Sequence, residues 1–204
     1  MAKLPRPPSP LSVPPQLHVV PANSRWWRVY FAGGSHPVAW NAFRHYGPTP
    51  ARFDHHLPPA AVQARGILYG ADSPTTCLAE VFQATRVIDR TAGAPWLAGF
   101  ELARDVPTLD LTGAWPTRAG ASMAISTGPR PRARLWSQAI YAAYPAVEGL
   151  RYGSSMHANT PSLALYERAG STLPAAPVFN RALSDPALAR RLSAAAKRLG
   201  YRLV

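Results

Sequence analysis

The chain has few acidic residues and almost no cysteine. Its 204 residues include 10 aspartates and glutamates against 22 lysines and arginines, which gives a net charge of +12. The single cysteine, Cys77, excludes an internal disulfide. No apolar run reaches the roughly 18 residues of a membrane span, and the N-terminus lacks the apolar core of a signal peptide. The sequence therefore predicts a cytoplasmic protein that does not contact membranes and whose partners are acidic.

Other absences narrow the classes of function. The chain has no glycine-rich phosphate loop of the P-loop or dinucleotide type. Its basic residues are dispersed, so we expect no direct nucleic-acid binding, although a basic nucleic-acid-binding module stays open as an alternative. His55 and His56 are adjacent, and neighbouring side chains point apart, so the pair is a poor metal clamp. No zinc-ligand spacing occurs elsewhere, and we expect no metal.

Proline, with 23 residues, is concentrated near the N-terminus. This composition predicts a flexible arm over residues 1–21, followed by a single domain over residues 22–204. Breaker residues predict a long loop over residues 36–60. Strands are predicted at 25–31, 66–70, 96–103, 106–111 and 150–152, a helix at 131–143, and a strand or short helix at 162–168. A last helix opens at Ser184-Asp185-Pro186 and ends at Gly200. Strands and helices do not strictly alternate, which favours the α+β class.

The segment RGILYGADSPTTCLAEVF, residues 65–82, predicts a buried strand followed by a helix. Ser73 is a good N-cap, and Pro74 suits the first helical position. The apolar positions of the helix, Cys77, Leu78, Val81 and Phe82, share one face. Glu80 points sideways from that face. Its carboxylate is either a solvated helix charge or a group that the helix presents to a cleft.

Four other side chains have both a structural and a functional interpretation. Arg28 lies in a strand and reaches either solvent or the wall of a cleft. Arg52 lies in the long loop, where it is either a surface charge paired with Asp54 or a residue that binds an anion. Tyr69 is a core or rim tyrosine, or a plate for a flat ring. Ser154 lies in a polar loop as a turn residue, without the G-x-S-x-G context of a nucleophile elbow.

The order of these segments is more specific than any one of them. RWWRVYF, ARFD, ILYGADSPTTCLAEVF and GLRYGSS follow each other over about residues 25–170, and in this order the chain resembles the RES domain family. The arginine, glutamate and serine that name the family would be Arg28, Glu80 and Ser154. The resemblance implies an ADP-ribosyltransferase-like fold, with a split, mostly antiparallel sheet and flanking helices.

The chain departs from the family pattern next to the serine. Gly153 precedes Ser154, and Ser155 takes the place of a basic residue that many members carry there. A phosphate contact is therefore missing or comes from elsewhere, and Arg151 is a candidate to supply it. Ser155 also stays open as the operative serine, although the register favours Ser154.

The resemblance implies a toxin-type enzyme that degrades NAD by cleaving its nicotinamide–ribose bond, with inorganic phosphate or water as acceptor. Glu80 would stabilise the positive charge on the ribose, and Arg28 and Arg52 would hold the pyrophosphate or the attacking phosphate. Tyr69 would stack on a ring of NAD, and Ser154 would bond the ribose or orient the acceptor. The alternative activity is ADP-ribosyl transfer to a protein or small molecule. The implied partner is an Xre-type helix-turn-helix antitoxin, with which the chain would form an oligomer.

Overall fold

A computed structural model describes residues 4–204. The strands are β1 (Leu17–Val20), β2 (Arg25–Phe31), β3 (Arg44–Gly47), β4 (Ala61–Ala71), β5 (Val87–Ile88), β6 (Pro95–Glu101), β7 (Val106–Asp110), β8 (Gly149–Gly153), β9 (Pro161–Tyr166), β10 (Phe179–Ala182) and β11 (Arg202–Leu203). The helices are α1 (Pro74–Val81), α2 (Trp115–Arg118), α3 (Ala124–Thr127), α4 (Arg130–Ala143) and α5 (Ala189–Leu199), with 3₁₀ turns at Glu167–Thr172 and Pro186–Leu188. No helix within residues 4–204 is long and apolar enough to cross a membrane.

Nine strands form one sheet in the order β1-β7-β8-β9-β4-β2-β6-β10, with β3 added to β4. Its neighbouring strands are antiparallel except β7 and β8, which are parallel. Helices flank this sheet, and β5 and β11 form a small parallel pair beside it. The predicted α+β class, with a mostly antiparallel sheet and flanking helices, is confirmed.

The large sheet separates where β2 meets β4. These strands pair through a single position, Trp27 opposite Ala71, whereas β2 pairs with β6 along its whole length. Gly70 permits the close approach at this point, because an added Cβ would lie 3.3 Å from the Trp27 carbonyl oxygen. Beyond the shared position the strands diverge, and the side chains of Arg28 and Tyr69 line the space between them.

Most of the elements predicted from sequence are present, but several short ones differ. The strand at 25–31 is confirmed residue for residue, and the segment 162–168 contains both alternatives, a strand followed by a 3₁₀ turn. The predicted loop 36–60 contains β3, which forms because it pairs with β4. Ser73 caps α1 by accepting a hydrogen bond from the Thr76 N–H, with Pro74 in the first turn, as predicted.

Parts of the proline-rich N-terminal segment, predicted as a flexible arm, pack against the domain. Residues 1–3 lie outside the described residues, but Leu4 is buried, and Leu11 and Val13 pack against the core. Prolines have no N–H group, so they contribute to hydrogen bonds through their carbonyl oxygens only. In this segment, Trp136 Nε1 donates to the Pro5 oxygen at 2.8 Å. Residues 17–20, within the predicted arm, form β1 and pair with β7.

Candidate active site

The helix α1 places Glu80 at its open edge. Thr76, Cys77, Leu78 and Ala79 of this helix are buried, and Glu80 is only half-buried. Val81, predicted on the core face, is partly exposed instead and lies beside Glu80. The carboxylate therefore faces neither the core nor bulk solvent fully. Glu80 lines the cavities described below.

The loop between β8 and β9 brings Ser154 to this carboxylate. The Ser154 Oγ donates to Glu80 Oε1 at 2.5 Å and accepts the backbone N–H groups of Met156 at 3.2 Å and His157 at 3.1 Å. The hydroxyl is buried, and its three partners fix both its position and its donor direction. Thr76 Oγ1 contacts His157 Nδ1 at 2.8 Å, which ties the loop to α1.

Two adjoining cavities open at Glu80. We call the first the loop cavity: it has a volume of about 210 Å³ and is lined by Ala51, Arg52, Tyr69, Glu80, Val81, Gln83, Ser126, Arg130, Tyr152 and Ser155. We call the second the sheet cavity: it has a volume of about 350 Å³, lies between β2 and β4, and is lined by residues that include Arg28, Arg44, Tyr69, Glu80 and Tyr152. Glu80 and both tyrosines belong to the walls of both cavities, so the carboxylate stands where they meet.

Arg28 forms one wall of the sheet cavity. Its Nη1 donates to the carbonyl oxygens of Trp40 at 3.0 Å and Ala42 at 2.9 Å. Its other guanidinium nitrogens have no hydrogen-bond partner within residues 4–204, so they are available to a ligand. Burial lowers the pKa of Arg28 to about 10, and the side chain is still cationic at neutral pH. The structure thus places Arg28 at a cavity wall.

Arg52 and Arg130 form the wall of the loop cavity. Arg52 Nη1 donates to the Gly128 oxygen, and Arg130 Nη2 donates to Gln83 Oε1, each at 2.5 Å. Burial and then the charge of Arg130 lower the pKa of Arg52, while the charge of Glu80 raises it. Both cations and the carboxylate thus act on one small volume. The alternative pairing of Arg52 with Asp54 does not occur, because Asp54 Oδ2 accepts Arg44 Nη2 at 2.9 Å.

Tyr69 and Tyr152 supply aromatic walls beside the carboxylate. Burial raises the pKa of Tyr69, and burial together with the negative charge of Glu80 raises the pKa of Tyr152. Both phenols are therefore neutral at physiological pH. The Tyr152 ring is held by Phe53, with ring centroids 4.6 Å apart. Neutral rings next to a carboxylate and several arginines suit a ligand that combines flat rings with phosphate.

Other candidates from the sequence lie elsewhere. Arg151 does not line either cavity; it donates to Asp110 Oδ1 at 3.3 Å and Thr112 Oγ1 at 2.8 Å. Its side chain is therefore engaged away from Glu80. Ser155 lines the loop cavity but is exposed, whereas Ser154 is the serine bonded to Glu80. Within residues 4–204, no group of three or more histidine, cysteine, aspartate or glutamate side chains could hold a metal.

Sequence reasoning missed several wall residues, namely Arg44, Gln83, Ser126, Arg130 and Tyr152. One of them carried a local signal. Arg130 is the first residue of α4, a position where the helix dipole favours acidic side chains. A basic residue there breaks a local rule, and such breaks concentrate at functional sites.

The family model of the RES domain matches residues 25–190. The chain belongs to the RES domain family. The match starts where the motifs predicted and extends beyond the predicted end at about residue 170, to the start of α5. No curated protein sequence matches the chain.

A similar solved structure supports the fold. The chain is 20% identical, with a TM-score of 0.55, to a chain of the crystal structure of the M. tuberculosis MbcT–MbcA toxin–antitoxin complex. The match covers 86% of this chain and 92% of that one. At this identity the likeness shows a shared fold.

Proposed function

We propose that this RES domain is a toxin-type enzyme that degrades NAD by cleaving the nicotinamide–ribose bond. The observation that supports this best is the placement of Glu80, oriented by Ser154 Oγ at 2.5 Å, at the junction of two cavities that each contain two arginines. NAD joins two flat rings through two riboses and a pyrophosphate. A carboxylate flanked by aromatic rings and cations on two sides suits such a ligand.

The proposed reaction balances with phosphate or water as acceptor. The bond between the nicotinamide nitrogen and ribose C1 breaks, and its electron pair neutralises the pyridinium nitrogen. An oxygen of inorganic phosphate or of water bonds to C1, and the acceptor loses a proton. Glu80 would stabilise the positive charge that develops on the ribose, as carboxylates do in glycoside hydrolysis. The products are nicotinamide and either ADP-ribose phosphate or ADP-ribose.

Each remaining residue would have one role. Arg28 and Arg52 would bind the pyrophosphate or the attacking phosphate, because a guanidinium contacts oxyanions through two parallel hydrogen bonds. Tyr69 would stack on nicotinamide or adenine. Ser154 would orient Glu80 and the ribose or acceptor, and is not proposed as a nucleophile. The reaction as proposed needs no metal.

The biological setting is part of the same proposal. The similar structure is described as a toxin–antitoxin complex. We propose that this chain is likewise the toxin of a pair, acts on NAD in the cytoplasm, and is neutralised in an oligomer with an Xre-type helix-turn-helix antitoxin. Expression of the chain alone would then arrest growth, and the arrest would depend on Glu80.

NAD turnover tests the activity. Wild type, Glu80→Gln and a control, Glu101→Gln, are mixed with NAD with and without phosphate, and nicotinamide and ADP-ribose species are followed by chromatography. Glu101 is a surface residue paired with Arg25, so its variant removes the same charge away from the site. We expect Glu80→Gln to lose about 100-fold or more in kcat and Glu101→Gln to match wild type.

The acceptor determines the pattern of products. Nicotinamide release only with phosphate indicates a phosphorylase, and release without phosphate indicates a glycohydrolase. ADP-ribose attached to a macromolecule indicates the transferase alternative. Absence of nicotinamide release from antitoxin-free wild type would contradict the proposal.

A further inference from the structure

Two arginines of the loop cavity have no carboxylate partner. Within residues 4–204, neither Arg52 nor Arg130 takes part in a salt bridge. Each donates instead to a neutral oxygen, of Gly128 or of Gln83. Glu80 lines the same cavity, but one of its oxygens already accepts the Ser154 hydroxyl. The cavity wall therefore carries more positive than negative charge.

These two cations repel each other. Both guanidinium groups line the same cavity of about 210 Å³, and burial together with the charge of Arg130 lowers the pKa of Arg52. Like charges in such a place are unfavourable unless an anion lies between or beside them. Hydrogen bonds to neutral oxygens do not remove this repulsion.

A serine with a buried and unpartnered hydroxyl lines the same cavity. Ser126 is 3% exposed and lines the loop cavity. Its Oγ has no hydrogen-bond partner within residues 4–204. Such an unsatisfied hydroxyl costs free energy and is uncommon in folded proteins. It is free to donate to a ligand that enters the cavity.

The first turn of α4 adds to the positive potential. This helix has 14 residues, contains no acidic residue in its first turn, and has no side-chain N-cap among the residues described. Arg130 is the first residue of the helix, and its side chain lines the loop cavity. The N-terminal end of a helix attracts anions, so a cavity-lining basic side chain at this position strengthens the attraction.

We propose that Arg52, Arg130 and Ser126 form a subsite for a phosphate-type oxyanion at the start of α4. The guanidinium groups would each bind the oxyanion through parallel hydrogen bonds, and Ser126 would donate a third contact. The role of this subsite in catalysis rests on the proposed function. Its anion is either free inorganic phosphate or a phosphate group of the dinucleotide, since both present the same oxygens.

Phosphate titration of the NAD-free, full-length protein tests the subsite. Binding of inorganic phosphate is measured by calorimetry at constant ionic strength for wild type, Arg130→Gln, Ser126→Ala and the control Arg132→Gln. Arg132 has the same charge on the same turn but points away from Arg130, because two residues correspond to about 200° around a helix. We expect about tenfold or weaker binding for Arg130→Gln and a smaller loss for Ser126→Ala. The control should stay within about twofold.

A second arm identifies the source of the anion. NAD affinity is measured in phosphate-free buffer with Glu80→Gln, which turns over slowly, alone and combined with Arg130→Gln. Weaker phosphate binding with unchanged NAD affinity assigns the subsite to the free anion. Weaker NAD affinity, with no phosphate binding by wild type, assigns it to the phosphate of the dinucleotide.

Stability provides a check that does not depend on activity. Ser126→Ala should be as stable as wild type or more stable without anion, because it removes an unsatisfied hydroxyl, and phosphate should stabilise it less than wild type. If folded Ser126→Ala and Arg130→Gln bind phosphate and NAD as wild type does, the subsite is wrong. If wild type binds phosphate through Arg130 but releases no nicotinamide, the subsite stands and the proposed function fails.

Discussion

Glu80 and Glu167 both accept a hydrogen bond from a hydroxyl, but the chain surrounds them differently. Glu167 accepts the Tyr141 hydroxyl and the Gly66 N–H, and His55 Nε2 lies 3.6 Å from it. Glu80 accepts only the Ser154 hydroxyl closely, and its second oxygen has a long contact of 3.4 Å with Gln83 Nε2. Partners within the protein occupy the carboxylate of Glu167. Glu80 has one oxygen with a close partner and one with only this long contact.

The side chains around Glu167 form a closed cluster. The Tyr141 ring stacks on His55 with centroids 4.4 Å apart, and the Arg168 guanidinium lies 3.9 Å from the Tyr141 ring centre. Burial raises the pKa of Glu167, but the contacts of His55, Tyr141 and the Gly66 N–H outweigh burial and lower it to about 2. No comparable set surrounds Glu80 within the described residues, and two cavities adjoin it. A fully partnered carboxylate stabilises the fold, whereas one with a weakly bonded oxygen at a cavity can act on a ligand.

The largest effect on stability is expected at Glu167. Glu167→Gln places an amide NH₂ against groups that already donate, so we expect a loss of about 2–3 kcal/mol in the free energy of unfolding. Glu80→Gln keeps an oxygen that accepts the Ser154 hydroxyl and turns its NH₂ to the cavity, so we expect a loss of less than about 1 kcal/mol. Urea unfolding at pH 7 measures both values, with Glu101→Gln as control. Equal losses for Glu80→Gln and Glu167→Gln would mean that Glu80 is also structural.

The contrast between these carboxylates explains what the sequence could predict. β2 and α1 follow from local signals, namely aromatic and β-branched residues at 25–31 and the Ser73–Pro74 helix start. These elements carry Arg28 and Glu80, so both were found as candidates. The RES motifs added the Ser154 loop. Site residues that lie within a recognisable local pattern or family motif can therefore be predicted from the sequence.

The rest of the site depends on packing between distant segments. Arg52 reaches Gly128 across 76 residues of sequence, and no local pattern marks that contact. Arg151 is basic and adjacent to the motif, but β8 directs its side chain to Asp110. The arm shows the same limit: prolines predict an extended chain but not the Trp136 donor that binds it. Local sequence therefore predicts extended or helical backbone, and tertiary contacts decide which side chains meet.

Acid unfolding tests the structural role of Glu167, with a somewhat smaller expected effect on the free energy of unfolding. The pKa of Glu167 is about 2 in the folded chain, below its ordinary 4.5, so its stabilisation is complete above pH 4.5 and is lost as the pH falls toward 2. The side chain is 24% exposed, and we expect it to account for about 2 kcal/mol of the acid loss. The free energy of unfolding is measured from pH 7 to pH 3 for wild type and Glu167→Gln. The variant should show the shallower fall, and parallel curves would contradict the role of this cluster.

The smallest expected effect is a difference in NAD turnover between variants of the adjacent serines Ser154 and Ser155. This prediction rests on the proposed function. Ser154→Ala removes the hydroxyl that orients Glu80 and leaves two backbone N–H groups without their acceptor, so we expect about a tenfold loss in kcat with little change in KM. Ser155→Ala removes an exposed hydroxyl at the cavity wall, and about a twofold loss is expected. Steady-state NAD turnover of both variants measures the difference. A larger loss in kcat for Ser155→Ala would make Ser155 the operative serine. A rise in KM for Ser154→Ala without a fall in kcat would show that the Ser154 hydroxyl binds substrate rather than orienting Glu80.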